Sequence, residues 1–159
     1  MKYQEFKEST QIKFYDILKT LSHLNCGYLT YVLDHSQRPR ILFFSNKDWL
    51  NTFFNHQLDK HCQITKFCKV MPKGLIDWSC IQPSDKNESR VLNSRKDHNI
   101  ANGITIINQY KDMREIISLA STVDHVQFSK ELLNNQNLLM HAIQNLRKVA
   151  FEDHIVLRF

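Results

Sequence analysis

Asn102-Gly-Ile-Thr-Ile-Ile107 and Arg114-Glu-Ile-Ile-Ser-Leu-Ala-Ser121 are the two runs that decide the fold of this chain. Both are rich in β-branched residues, and the polar segment Asn108-Gln-Tyr-Lys-Asp112 between them has the composition of a turn. The Asn102-Gly103 step opens the first strand. The pattern predicts a β-hairpin in which Thr105 and Ser118 stand on neighbouring strands.

A second hairpin is predicted upstream. Tyr28–Leu33 and Arg40–Phe44 are rich in β-branched and aromatic residues and flank a polar segment that ends in Pro39. Gly74–Trp78 is predicted to form a short extended piece. The chain is therefore expected to contain about five strands, most of them joined as hairpins.

Helices are predicted before, between and after these strands, because apolar residues recur there at helical spacing. The predicted helical stretches are Glu5–Leu24, a helix that follows a capping box at Ser45–Asp48, a short helix at Gln63–Val70, and a single helix at about 124–151. The polar stretch 83–99 fits either an exposed helix or a mobile lid. The end of the chain, 153–159, either continues the last helix or forms an edge strand.

Length, composition and the element pattern together predict the fold class. The 159 residues, 42% hydrophobic and 23% charged, fit a single domain over residues 1–159, without repeat or linker. Two hairpins among helices predict an α+β fold, in which an antiparallel sheet of about five strands is sandwiched between helices in PAS/GAF-like α/β/α layers.

Composition also limits the location and the partners. No apolar run approaches the roughly 18 residues of a membrane span, and the polar start lacks the apolar core of a signal peptide, so we expect a cytoplasmic protein without membrane contact. Four cysteines without Cys-x-x-Cys spacing are expected to be reduced. The net charge of +5 is dispersed along the chain, which argues against nucleic-acid binding.

A catalytic or metal site is not expected. The chain has no Gly-rich phosphate loop, no Gly-x-Ser-x-Gly and no His-Glu-x-x-His motif. Histidines and cysteines between His56 and Cys68 match no common zinc spacing. We therefore predict neither an enzyme, nor a metal site, nor a cofactor; His61, His98 and Cys80 are the side chains to inspect for an enzymatic alternative.

The two tryptophans allow two interpretations. Trp49 and Phe53, one helical turn apart, and Trp78 fit core aromatics, which is what aromatic residues at helical spacing usually are. They also fit the wall of a ligand pocket, because an indole has an apolar body and one N–H donor. Hydroxyls from Thr105 and Ser118 would add polar groups to such a pocket.

The series Trp49-Leu-Asn-Thr-Phe53, Trp78, Asn99-Ile-Ala-Asn-Gly103-Ile and Ile117-Ser-Leu-Ala-Ser121 resembles the autoinducer-binding domain of LuxR-type quorum-sensing regulators. That family encloses an acyl-homoserine lactone between an antiparallel sheet and helices. The resemblance implies that Trp49 donates to the lactone carbonyl and that Trp78 forms the wall at the lactone ring. It also implies that Ser118 contacts the amide region and that Gly103 is a structural turn at the strand entry.

Several positions depart from the family pattern. Phe53 replaces a tyrosine whose hydroxyl would bond the acyl carbonyl. Gln63 stands near the position of the family's Asp, and no carboxylate occurs from Lys60 to Gly74, so a neutral amide oxygen would replace a charged acceptor. Asn99 replaces an earlier glycine and requires a positive φ. An altered or vestigial pocket is therefore expected.

Two hypotheses about function remain open. In the first, the chain is a sensory domain that binds a small lipophilic signal resembling an acyl-homoserine lactone and acts through dimer contacts. In the second, it is a ligand-independent interaction module that forms heterodimers with a full-length regulator. The resemblance stops before the family's helix-turn-helix, so these residues are not expected to bind DNA; a fragment of a longer regulator and a natural single-domain relative both fit.

Overall fold

The computed structural model describes residues 3–153. Six helices lie in this range: α1 (Glu8–Thr20), α2 (Lys47–Asn55), α3 (Gln63–Val70), α4 (Lys86–Asp97), α5 (Phe128–Asn134) and α6 (Gln136–Asp153). The six strands are β1 (Tyr3–Glu5), β2 (Tyr28–His35), β3 (Arg40–Phe44), β4 (Gly74–Asp77), β5 (Ala101–Tyr110) and β6 (Met113–Ser121).

The strands form one sheet in the order β1-β3-β2-β6-β5-β4. Both predicted hairpins, β2–β3 and β5–β6, are confirmed as antiparallel pairs, and β2 and β6 join them in the centre. The edge strand β1 was not predicted, and it pairs with β3 in parallel. The sheet therefore has six strands rather than about five, and it is antiparallel except at that edge.

Helices cover both faces of the sheet, which confirms the predicted α/β/α layers. Residues of β2 alternate between two cores: Leu29 and Tyr31 pack with Phe14 of α1 and Leu146 of α6. Tyr28 and Val32 point to the opposite face, where they pack with side chains of α2, α3 and α4. Because both faces are covered, the first six residues of β2 are all buried.

The bounds of two helices differ from the prediction. Helix α1 begins at Glu8 rather than Glu5, because residues 3–5 pair with β3. The predicted helix over 124–151 is two helices separated at Asn135, whose N–H bonds to the Leu132 carbonyl while its own carbonyl accepts from Leu139. The apolar residues keep their helical spacing across Asn135, so the hydrophobic pattern gives no sign of the break between the two helices.

The predicted capping box at Ser45 was wrong. Asn46 caps α2, because its side chain accepts a hydrogen bond from the Trp49 N–H at 2.9 Å. The Ser45 hydroxyl instead accepts from the backbone N–H of Leu29 at 2.9 Å and so ties the end of β3 to β2.

The two remaining open segments have different outcomes. The polar stretch 83–99 forms helix α4, capped by Asp85. Helix α6 ends at Asp153, and the predicted alternatives for the last segment concern 154–159, which lie outside the described residues. No helix between residues 3 and 153 combines the length and apolar character needed to cross a bilayer.

Candidate functional site

A cavity lies between the sheet and the three helices α2, α3 and α4. Its wall includes four residues that the sequence analysis selected: Trp49, Phe53, Trp78 and Ser118. Its volume is about 80 Å³, room for a few water molecules, whereas pockets for drug-sized ligands span roughly 300–1,000 Å³. The structure thus brings both indoles to the wall of one space, but that space is small.

Trp49 is held by the first turn of α2 and is 1% exposed. Its ring packs against Phe53 and His98, with ring centroids 5.3 Å apart in both pairs. Burial raises the pKa of the Tyr28 hydroxyl, while nearby Arg95 and a hydrogen bond from Trp49 act in the opposite direction. The Tyr28 hydroxyl is thus a neighbour of the indole that the resemblance assigns to a lactone carbonyl.

Trp78 follows β4 in a 3-10 turn, and a chain of hydrogen bonds fixes its indole. Its Nε1 donates to the Thr105 hydroxyl at 2.9 Å, and that hydroxyl lies 2.7 Å from the hydroxyl of Ser118. Thr105 is fully buried behind the cavity wall, whereas Ser118 belongs to the wall itself. A hydroxyl both donates and accepts, so Ser118 keeps hydrogen-bonding capacity at the cavity.

Gly103 is not a turn, contrary to the interpretation from sequence. It lies within β5 opposite Ala120, next to a bulge. In this segment the residues with a positive φ are Asn99 (56°) and Asn102 (47°). The positive φ at Asn99 is what an asparagine in place of the family's glycine requires. Glycine is needed at 103 for space, because an added Cβ would stand 2.8 Å from Trp78 Cε3 and 2.7 Å from the Leu119 carbonyl oxygen.

Gln63 does not line this cavity; it lines a neighbouring cleft that shares Trp78 and Arg95 with it. Its Nε2 donates to the Gln82 carbonyl at 2.7 Å and borders a separate cleft. The neighbouring residues Cys62 and Ile64 face the cavity instead. Between Lys60 and Gly74 the wall therefore contains a thiol and no carboxylate.

Phe53 lines the cavity and is 6% exposed. Its ring contacts Trp49 and is 5.9 Å from the Phe44 centroid. The wall has no hydroxyl at this position; the hydroxyl-bearing side chains of the sheet that line the cavity are Tyr28, Thr30 and Ser118.

Arg95 is the residue of this site that the sequence analysis missed. It is buried on α4, with its guanidinium carbon 5.5 Å from the Trp49 ring centroid and 5.1 Å from that of Trp78. A signal for it exists, because Glu88, Val91 and Arg95 follow helical spacing and all three are buried. The polar composition of the stretch 83–99 fits an exposed helix or a mobile lid, and neither places an arginine in a core.

The side chains considered for catalysis or metal binding do not form such a site in the described range. Cys26, Cys62 and Cys68 are buried, Cys80 is exposed, and all four are free. Burial raises the pKa of the Cys68 thiol to about 12, so it is protonated at neutral pH and a poor nucleophile. His98 contacts Trp49 and bonds to Ser94, and no group of three potential metal ligands occurs within residues 3–153.

Comparison with known proteins gives structural likenesses at low sequence identity. SdiA in complex with octanoyl-rac-glycerol matches 95% of this chain with a TM-score of 0.56 and 16% identity. CepR2 of Burkholderia cenocepacia, an N-acylhomoserine lactone-dependent LuxR-family transcription factor, matches 91% with a TM-score of 0.60 and 11% identity. Escherichia coli SdiA matches 94% with a TM-score of 0.55 and 14% identity. No family model and no curated protein matches the chain.

The chain spans 64% and 65% of the two SdiA chains and 93% of the CepR2 chain. The fold and the cavity define an α/β/α domain with a cavity of mixed apolar and polar lining on one face of its sheet. Among known proteins this is the fold of LuxR-type autoinducer-binding domains, as the resemblance in sequence predicted.

Proposed function

We propose that this chain is a small-molecule-sensing domain of LuxR type with an altered pocket. The observation that carries the proposal is the convergence of Trp49, Phe53, Trp78 and Ser118 on one cavity of the sheet. In this proposal those four residues contact the ligand, and Thr105 holds Trp78 and Ser118 in place. The two tryptophans provide apolar surface and Ser118 provides a polar contact.

The proposed ligand is a small lipophilic molecule that resembles an acyl-homoserine lactone. SdiA in the comparison carries octanoyl-rac-glycerol, and CepR2 depends on an N-acylhomoserine lactone. A standard lactone is expected to bind this chain more weakly, because Phe53 lacks a hydroxyl and no carboxylate occurs from Lys60 to Gly74, where the family pattern has its Asp. The cavity of about 80 Å³ must widen around any acyl chain, so binding and final packing would be coupled.

The proposed role is regulatory rather than catalytic. The domain would act in the cytoplasm as a homodimer or as a heterodimer with a regulator, and it would report occupancy through the dimer contacts. Neither nucleic acid nor a membrane is expected to bind these residues, and no cofactor is needed. The buried, protonated thiol of Cys68 fits a reducing compartment.

Thermal unfolding with a panel of acyl-homoserine lactones, monoacylglycerols and fatty amides tests this proposal. A ligand that binds only the folded domain stabilises it by about 2.7 kcal/mol at one hundred times its Kd, which raises the melting temperature measurably. Ser118→Leu should remove the shift by filling the cavity, and Asn51→Ala on the exposed face of α2 should keep it. If no compound raises the melting temperature of the wild-type chain, the sensing function is wrong.

The second candidate is a ligand-independent module that pairs with a full-length regulator. The small cavity and the direct contact between Trp49 and Phe53 favour it, since a filled core needs no ligand. It is tested by co-expression with a full-length LuxR-type regulator followed by size-exclusion chromatography. A stable heterodimer formed without added acyl compound, together with no ligand-induced shift, supports this candidate over the first.

A further inference from the structure

The side chain of Arg95 is a buried cation at the centre of the site. It is 8% exposed and lies on the same face of α4 as Val91, which is 2% exposed. Its guanidinium is within cation–π distance of both Trp49 and Trp78. Arginine is almost never fully buried unless it is paired, so its hydrogen bonds decide what this residue does.

Arg95 has no charged partner within the described part of the chain. Its Nη2 donates to the Cys62 sulfur at 3.4 Å, and a thiol is a weak acceptor. The acid on the same face of α4, Glu88, already accepts from Lys66 at 3.1 Å and from the Ser84 N–H and hydroxyl at 2.8 and 2.7 Å. No carboxylate in residues 3–153 forms an ion pair with Arg95, and its bond to Cys62 uses one of the five N–H donors of the guanidinium.

The rest of the cavity wall carries the same sign of charge. Arg40, Lys69 and Arg114 also line the cavity, and Asp34 is the sole carboxylate among the described lining residues. Asp34 is 3.5 Å from Arg40, whose buried Nε has no hydrogen-bond partner. A neutral amide or lactone would leave this excess of positive charge unmatched.

Space for a head group exists beside Arg95. The residue borders the cavity and also the neighbouring cleft of about 280 Å³ next to Trp78. The apolar side chains Val32, Leu42 and Ile116 line the cavity beyond it, on the face of the sheet. A molecule with an acceptor at one end and an acyl chain at the other matches this distribution.

We propose that the cavity selects an anionic amphiphile, a medium-chain carboxylic acid whose carboxylate accepts hydrogen bonds from Arg95 between the two indoles. The inference rests on the proposed sensing function and specifies its ligand class. In the family pattern the protein supplies a carboxylate to the ligand's amide N–H; here the protein supplies the donor and the ligand supplies the carboxylate. A planar guanidinium suits that exchange, because it binds carboxylates through two parallel hydrogen bonds.

The first test compares head groups on one acyl chain. Saturated medium-chain carboxylates, their primary amides, their methyl esters and the matching acyl-homoserine lactones are titrated into the wild-type chain at neutral pH, below their micelle concentrations. We expect the carboxylate to bind on the order of tenfold to a hundredfold more tightly than the amide. A lactone or amide that binds as tightly as the acid overturns the inference and leaves the sensing function standing.

The second test removes the charge. Arg95→Met should bind acid and amide with equal affinity, whereas Arg90→Met, the same change at an exposed site of α4, should keep the preference. Arg95→Lys should recover only part of the preference, because an ammonium cannot bind in the bidentate way. An unchanged preference in Arg95→Met contradicts the inference; if that variant does not fold, the wild-type comparison of acid with amide decides.

The two proposals fail in different ways. If no acyl compound of any head group binds, the sensing function fails and this inference fails with it. If neutral compounds bind and acids do not, only the assignment of Arg95 as the head-group contact is wrong.

Discussion

At the scale of single residues, the lack of a side chain at Gly103 makes room for the Trp78 ring. The Trp78 ring occupies the space above Gly103 while its Nε1 is held by Thr105. The sequence resemblance found this glycine but assigned it to a turn, because a glycine next to an asparagine usually marks one. The packing of β4 beside β5 shows the actual reason for a glycine at this position: a side chain would not fit, whereas the backbone angles would allow one.

Gly103→Ala is therefore expected to destabilise the fold by about 1–3 kcal/mol through overpacking against Trp78. Equilibrium unfolding in urea measures the change. Gly27→Ala is the matched control, because nothing lies within 4 Å of a Cβ added there, and it should change stability by less than about 0.5 kcal/mol. Equal effects of the two substitutions would contradict the close approach of Trp78 to β5.

Phe53→Tyr restores the hydroxyl that the family pattern has at this position. Phe53 borders the cavity, so the new hydroxyl can reach an acyl carbonyl, and we expect acyl-homoserine lactones to bind on the order of tenfold more tightly. Titration calorimetry with the wild type and the variant measures the ratio. Phe67→Tyr, the same change at an exposed residue of α3, should leave the affinity unchanged; a parallel gain there would rule out a specific contact.

At the scale of the elements, a buried ion pair attaches α6 to the sheet. Glu115 of β6 is fully buried and accepts from Arg147 of α6 at 2.8 Å. It also accepts from the Tyr31 hydroxyl, and from Asn108 at 3.1 Å. Burial, and then the Glu115 carboxylate, raise the pKa of Tyr31, which keeps its hydroxyl protonated as the donor.

Glu115→Gln leaves Arg147 without its counterion and is expected to destabilise the domain by about 2–4 kcal/mol. Chemical unfolding measures the loss. The control is Glu5→Gln, which removes an exposed partner of Lys47 and should cost about 1 kcal/mol or less. A loss for Glu115→Gln as small as that of the control would show that the buried pair does not hold α6 to the sheet.

The elements were largely predictable, because their signals are local. Both hairpins, the helix at Gln63–Val70 and the extended piece at Gly74 follow from residue type and spacing. The strand at Tyr3–Glu5 has only three residues and is defined by its pairing with β3, so no local sequence pattern predicts it. The cap at Asn46 was missed because two adjacent residues can cap a helix, and only the hydrogen bond of Ser45 to β2 decides between them.

At the scale of the whole molecule, the site was less predictable than the fold. The aromatic residues could be assigned to the cavity because a resemblance to a known pattern supplied their positions. Gln63 and Arg95 could not, since the direction of a side chain depends on how α3 and α4 pack on the sheet. The proposed ligand class depends on which charged side chains line the cavity, and only the tertiary structure brings those residues together.

The buried thiols make the stability of the whole domain sensitive to alkaline pH. Burial raises the pKa of Cys26 from its ordinary value of 9.0 to about 12, and that of Cys68 also to about 12. The unfolded chain releases these protons first, so the stability they contribute is complete below pH 9.0 and is lost as the pH rises toward 12. Each thiol should lower the free energy of unfolding by about 1.4 kcal/mol per pH unit in that window.

Chemical unfolding at a series of pH values, under reducing conditions, measures this slope. Cys26→Ala should decline less steeply than the wild type, and Cys80→Ala, at an exposed thiol, is the control for loss of a cysteine. A wild-type stability that stays constant across the window would contradict the assigned burial of these thiols.

The central claim is that an acyl ligand lies beside both indoles, and fluorescence tests it most directly. The chain contains two tryptophans, and both line the cavity, so all indole emission comes from the proposed site. A bromine-substituted medium-chain acyl compound should quench this emission saturably in the wild type and in the single-tryptophan variants Trp49→Phe and Trp78→Phe. Absence of saturable quenching in all three proteins, at concentrations where the compound remains monomeric, would contradict the account.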